Sequence, residues 1–187
     1  MSERTAVYRG FVLEGRDPKE RGRIQVSLPE LDEQVWAERA TLDAGDGRGT
    51  WFVPANGDEV LVAFESGDER RPIVIGSLWS SDQRPPESDP KRTLVRTRHG
   101  ATAVLDEGDG SIEVSDLRGN VVTLSGGGVT IRSASKVKLT ASAIEIDAGT
   151  IRVNAAVSEF SGLVQCDALT TNSVVSSSPG PDAGSGG

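Results

Sequence analysis

The residues able to do chemistry are few and poorly arranged. Gly45-Asp46-Gly47-Arg48-Gly49 has the glycine density of a loop that cradles phosphate. Such a site needs a strand before it and a helix after it. Trp51-Phe52-Val53-Pro54 follows instead, so the stretch reads as a plain surface loop. Asp43 and Asp46 beside it lack the ligand spacing of a calcium loop and its bidentate glutamate. Asp58-Glu59 and Asp68-Glu69 set carboxylates side by side, the residue types that glycoside hydrolysis uses. Neighbours on a strand point to opposite faces, so these pairs read as strand ends and turns. His99 is the one histidine, and no Gly-x-Ser-x-Gly elbow presents a nucleophile to it. It reads as a surface residue. Cys166, the one cysteine, excludes an intrachain disulfide and a cysteine zinc site. It reads as a small core residue. No catalytic, cofactor or metal site is expected.

The elements that would have to position such residues therefore carry the argument. The 187 residues suffice for one ordinary domain or two small ones. A formal charge of −8 repels nucleic acid and anionic membranes unless a local basic face exists. Arg70-Arg71 is only a pair, and Lys91-Arg92, Arg96 and Arg98 fall in an expected linker. Tyr8, Phe11, Trp36, Trp51, Phe52, Phe64 and Trp79 all lie in the first part, and only Phe160 lies beyond. An aromatic core is expected there, with small and β-branched side chains packing the rest. The N-terminal stretch MSERTAVYRG lacks the apolar region of a secretory signal. No apolar run nears the ~18 residues of a membrane-spanning helix. The expectation is synthesis in the cytoplasm without a signal peptide.

Strand signals are dense, and the best helical candidate is only the short piece Glu30 to Trp36. Thr5 to Glu14 reads as a first strand, ended by a turn at Gly15-Arg16-Asp17-Pro18. Arg23 to Leu28 alternates, with Ile24, Val26 and Leu28 on one face and Arg23, Gln25 and Ser27 on the other. That is a half-buried strand. Val35 to Leu42 is a third strand, and Asp43 to Thr50 a glycine-rich loop. Asn56-Gly57 turns the chain into a fourth strand, Glu59 to Phe64, and Pro72 to Trp79 is the fifth. Five short strands within residues 1–79 suit an all-β closed barrel of the OB-fold type. Residues 80–99 read as a linker, in which Pro85, Pro86 and Pro90 oppose a packed strand in the first half.

From Gly100 the texture changes. One apolar row runs Val122, Val129, Val137, Ile144, Ile151. A second, two residues on, runs Leu124, Ile131, Leu139, Ile146, Val153, Phe160. The steps are seven residues, with a single step of eight before Val137/Leu139. Looser copies stand at Ala103/Leu105 and Ile112/Val114, and small residues separate the pairs. A fixed period with one inward pair per unit is the signature of a β-helix. Wound alone, three units would make a coil of about 21 residues, giving a short stack with open edges. Wound as three chains, each unit advances one strand spacing of roughly 4.8 Å. About ten units then give a rod on the order of 50 Å, with every strand edge paired to a neighbouring chain. The triple-stranded form is the better reading. Residues 100–178 form its needle, and 179–187 a flexible tail.

Several segments occur together. Asp17-Pro18 precedes Gly22-Arg23-Ile24-Gln25-Val26, and Trp36-Ala37-Glu38-Arg39-Ala40 precedes Trp51-Phe52-Val53-Pro54. Gly57 to Phe64, Gly67-Asp68, Pro72 to Leu78, Pro85-Pro86 and Arg98-His99-Gly100 follow, and then the repeats. This order resembles the central spike of contractile injection machines: phage baseplate assembly protein V and the VgrG-type spikes of type VI secretion. The resemblance covers residues 5–178, and Pro54 to Phe64 with Pro72 to Leu78 is its most specific part. It implies a homotrimer whose OB-fold sits on the baseplate hub and whose triple β-helix is the needle. Sheath contraction would push that needle through the target membrane, a transient contact. It also implies assembly into a phage tail or phage-like injection particle. The trimer core would be Leu105, Ile112, Val114, Val122, Leu124, Val129, Ile131, Val137, Leu139, Ile144, Ile146, Ile151 and Val153.

The sequence departs from relatives in two places. Residues 80–99 are too few for the lysozyme domain that some phage spikes carry between barrel and needle. His99 lies at the needle's base, so no His-x-His metal tip can form. In the family a blunt end is often capped by a PAAR-type tip protein. A cap is expected on Val174, Val175, Ser176, Ser177, Ser178 and Pro179. Two other functions use similar folds. OB-folds bind single-stranded nucleic acid through aromatics in a basic groove, but this chain's charge has the wrong sign. Tail-fibre-like polysaccharide depolymerases use triple β-helices, but need a carboxylate-lined groove on a larger shaft.

Overall fold

The structure, a computed structural model, describes residues 6–172. Its first strands are β1 (Tyr8–Glu14), β2 (Ile24–Leu28) and β3 (Glu33–Arg39). A two-residue hairpin follows, β4 (Ala44–Gly45) with β5 (Arg48–Gly49), and then β6 (Glu59–Phe64) and β7 (Pro72–Leu78). A closed barrel runs β1-β2-β3-β7-β6 and returns to β1. The pairing of β3 with β7 is parallel and the others antiparallel.

Alternation creates this barrel. Ile24, Val26 and Leu28 are fully buried while Gln25 and Ser27 between them are not, and Val60, Val62 and Phe64 repeat the pattern on β6. Val12, Ala37 and Val74 complete the core. Gly10 permits the closest approach: a Cβ there would lie 3.0 Å from the Ser27 carbonyl oxygen and 3.1 Å from Leu28 Cδ2. The expected aromatic core is corrected, because the buried set is almost wholly aliphatic. Only Phe64, with Tyr8 edge-on at 5.7 Å, brings rings to it. Trp51, Phe52 and Trp79 are exposed. A small barrel has room for β-branched side chains at its alternate positions, and the larger rings are left outside. The helical candidate is also corrected. Pro29–Leu31 makes one 3-10 turn, which ends where Asp32 takes φ 53°. The alternation of Val35 and Ala37 then continues as β3.

The chain next forms a five-stranded antiparallel meander: β8 (Arg92–Arg96), β9 (Thr102–Asp106), β10 (Ser111–Ser115), β11 (Val121–Ser125) and β12 (Gly128–Arg132). β8 occupies the second half of the stretch read as linker, while its proline-bearing first half carries no strand. The repeat units up to Ile131 thus pair antiparallel within one chain, correcting the expectation of successive helical coils there. Short turns such as Asp109-Gly110 and Ser125-Gly126 join adjacent strands locally, and local pairing costs little loop entropy.

The chain divides between Val137 and Lys138 into two units. Over 133–172 no strand forms within the chain, so those expected at Val137 to Leu139, Ile144 to Ile146 and Ile151 to Val153 are absent from it. A strand needs a hydrogen-bonded neighbour, and these described residues supply none to one another. All residues of 138–172 are exposed.

Candidate assembly surfaces

One buried carboxylate organises the β1–β2 loop. Asp17, 8% exposed, accepts backbone N–H groups of Lys19, Arg21 and Arg23 at 2.9, 3.0 and 3.3 Å. It also takes a two-pronged bond from Arg23, Nε at 3.0 Å and Nη2 at 2.9 Å. The Arg23 guanidinium, aided by the backbone donors and opposed by burial, holds this carboxyl far below the ordinary aspartate range. Arg23 in turn lies over the Trp36 ring at 5.6 Å. Arg39 ties three segments together. It stacks 4.5 Å from the Trp51 ring centroid and donates to the Gly22 and Phe52 carbonyls, both at 2.8 Å. The Asn56-Gly57 turn is anchored to β1 through Gly57 N–H on the Val12 carbonyl at 2.7 Å. Gly57 sits at φ +89°, which favours glycine.

The residues that invited catalytic readings are occupied structurally. Gly45 to Gly49 form the β4–β5 hairpin, and Asp43 meets Arg48 at 2.7 Å. Asp58 accepts the Ala55 N–H at 2.6 Å, and Asp68 pairs with Arg70 at 3.2 Å. His99 lies in the β8–β9 turn and is exposed. Cys166, read as a small core residue of a repeat unit, is exposed in the single chain. Among the described residues no cluster of three or more His, Cys, Asp or Glu could hold a metal ion. Nor is any helix among them long and apolar enough to cross a membrane.

Two surfaces remain. On the barrel, exposed Trp51, Phe52 and Trp79 line an open groove of about 540 Å³ with Arg96, Thr97 and Arg98. Elsewhere the barrel's positive charge is spent locally: Arg9 meets Glu59, Arg21 meets Glu38 and Arg71 meets Glu65. The second surface is one face of the meander. Register places Leu105 opposite Ile112, Ile112 opposite Leu124, and Leu124 opposite Val129. It likewise places Ala103 opposite Val114, Val114 opposite Val122, and Val122 opposite Ile131. Directly opposed residues share a face. Antiparallel pairing thus crosses the two seven-residue rows, and the two stripes it makes on this face continue onto β8 through Thr93 and Val95. Every large member is exposed, from 37% for Val122 to 69% for Val129. The opposite face carries Leu94, Val104, Glu113, Thr123 and Thr130. Beside it Arg92 holds Glu87 at 2.6 Å, and Val104 is buried.

Sequence reasoning named the apolar residues from Leu105 to Ile131 that share this face, but its rows joined Val122 to Val129 and Leu124 to Ile131, where the register opposes Val122 to Ile131 and Leu124 to Val129. It missed Thr93 and Val95, although their β-branched alternation was a usable signal. It also missed the Asp17 clamp, which the spacing from Asp17 to Arg23 alone does not reveal. Of the remaining core candidates, Val137, Leu139, Ile144, Ile146, Ile151 and Val153 are exposed and unpaired by strands. The tip candidates Val174, Val175, Ser176, Ser177, Ser178 and Pro179 lie outside the described residues.

Residues 8–79, the whole of the barrel, match the family described as the type VI secretion system/phage-baseplate injector OB domain. The barrel is thus similar to the injector OB domain of that family. The chain is 26% identical over 123 residues to the spike protein of Escherichia phage P2, covering 66% of this chain and 56% of that protein. It is 27% identical over 106 residues to the actin cross-linking toxin VgrG1 of Vibrio cholerae serotype O1, covering 51% of this chain. It spans about half of the first relative's length and 9% of the second's. The baseplate-spike resemblance carried by the sequence motifs is thereby borne out.

Proposed function

We propose that this chain is the central spike of a contractile injection machine. Three copies join as a homotrimer, their barrels sit on the baseplate hub, and the repeats beyond the meander wind into a needle. Sheath contraction drives the needle through the target membrane, and a PAAR-type protein caps its end around Val174 to Pro179. The observation that carries this reading is the unpartnered apolar face of β8–β12, directly following an injector OB domain. Contiguous exposed apolar patches of this kind mark interaction sites, and three copies can bury the stripes against one another. The role is mechanical, requires no catalysis, and places the protein in a phage tail or phage-like particle.

Nucleic-acid binding is disfavoured because the barrel's arginines largely face carboxylates of their own chain. A depolymerase is disfavoured because the stripes present valine, leucine and isoleucine rather than carboxylates. Light scattering on the purified chain tests the proposal. The expected native mass is three times 19.7 kDa, about 59 kDa. A mass near 19.7 kDa would abandon the mechanical account. The cap is tested by co-purification of a tip protein, which deletion of residues 170–187 should abolish.

A further inference from the structure

We infer that the needle carries a register-setting charge ladder, Lys138–Glu145–Arg152–Glu159, whose rungs pair between different copies of the chain. The inference rests on the trimer reading and deepens it. Three of the four stand midway between members of the apolar rows, Val137/Leu139, Ile144/Ile146 and Ile151/Val153, and Glu159 stands between Ser158, one step past the end of the first row, and Phe160 of the second. Strand alternation that turns those pairs inward turns the middle residue outward. The signs of the middle residues then run plus, minus, plus, minus at a constant step of seven.

The two preceding units differ in kind. Their middle residues are Thr123 and Thr130, which the structure sets directly opposite each other across β11 and β12 of one chain. Among the earlier copies only Glu113 is charged at the middle position, facing Val104 and Thr123, and charge in every successive unit starts at Lys138, the first residue of the second unit. The step of eight residues also falls there. Where the chain pairs with itself, the middle positions set no two charges opposite one another: Thr123 faces Thr130 and Glu113, and Glu113 faces Val104. Alternating charges occupy them where strands would have to come from other copies. All four charged residues are exposed, and none joins an ion pair among the described residues.

The geometry of three wound chains explains the alternation. Each unit moves to the next face of the prism and rises one strand. Neighbouring strands on a face therefore belong to successive units of different copies. Lys138 of one copy then lies beside Glu145 of the second, which lies beside Arg152 of the third, and Glu159 of the first comes next. Strands about 4.8 Å apart bring such side chains within pairing distance. A slip that brings identical units together, or units two apart, sets like charges side by side on every face. The apolar rows alone would tolerate that slip, since valine and isoleucine recur at every unit. The ladder supplies the discrimination they lack.

Cysteine pairing reads this register directly. In the full chain carrying Cys166→Ser, the double variant Lys138→Cys/Glu145→Cys should oxidise to a covalent trimer on a non-reducing gel, since adjacent strands meet disulfide geometry. Lys138→Cys/Arg152→Cys, two strands apart at about 9.6 Å, should not. Equal or preferential cross-linking of the second variant would overturn the ladder. So would absence of cross-linking in the first variant while light scattering still shows a trimer. A cysteine-free check uses Glu145→Arg, which should lower the temperature of trimer dissociation. Reversing all four signs together should restore it, and failure to restore would count against the proposal. A monomeric unmodified chain would instead remove the trimer reading itself, and the ladder with it.

Discussion

Asp17 shows how one side chain can organise a loop. It gathers three backbone donors and a forked guanidinium, and its carboxyl is held well below the ordinary range mainly by Arg23. A depressed folded pKa means stability that is fully present above the unfolded value. That stability is lost as pH falls from about 4 toward the folded value. Asp17→Ala should therefore lower the melting temperature at pH 7, and the gap to the unaltered protein should shrink progressively below pH 4. Thermal melts followed by circular dichroism across pH 2.5–7 measure it. A gap independent of pH would mean that the loop does not depend on this charge. Arg39 binds the same loop to the Trp51 segment through two carbonyls and a ring face. Lysine cannot reproduce that planar fork, so Arg39→Lys should loosen the segment, seen as altered tryptophan fluorescence.

Among the elements, β2 and β11 present similar alternation with opposite outcomes. Ile24 on β2 is fully buried by its own chain. Leu124 on β11 is 42% exposed. Ile24→Ala should cost about 2–5 kcal/mol, the usual range for a large-to-small core change. For an open surface, Leu124→Ala should cost within roughly 0.5 kcal/mol. If the stripes are covered by other copies, it should cost about as much as Ile24→Ala. The expected result is the larger figure, measured by denaturant unfolding at fixed protein concentration. Leu124→Asp should go further and convert the assembly to monomers, because three buried carboxylates cannot be satisfied together.

At the scale of the whole molecule, the barrel's buried cluster draws only on residues up to Val74, and the meander closes its ladders by Arg132. The strands of both lie before Val137. A chain truncated after Val137 should therefore keep the barrel's melting transition. It should also lose most of the assembly's resistance to dissociation, since the second unit has no ladder of its own to keep. Differential scanning calorimetry on the truncated and full chains separates the two contributions. Loss of the barrel transition on truncation would show that the units fold together.

Much of this protein was legible in local pattern. The alternation of Ile24, Val26 and Leu28, the Asn56-Gly57 turn and the strand Glu59 to Phe64 determine a barrel strand by strand, because a period of two has only one buried face. The seven-residue rows likewise determine which residues share a face, although antiparallel pairing crosses them and sets Val122 against Ile131 and Leu124 against Val129. Tertiary structure decided what the period could not. Periodicity does not distinguish a strand that folds back on its own chain from one that waits for another. Thus Val122 and Val129 proved to lie in adjacent antiparallel strands, while Ile144 and Ile151 have no partner strand in their own chain. Ring size against barrel volume put Trp51, Phe52 and Trp79 outside. The meeting of Asp17 with Arg23 depended on a loop closing on itself, a through-space contact that no residue period encodes.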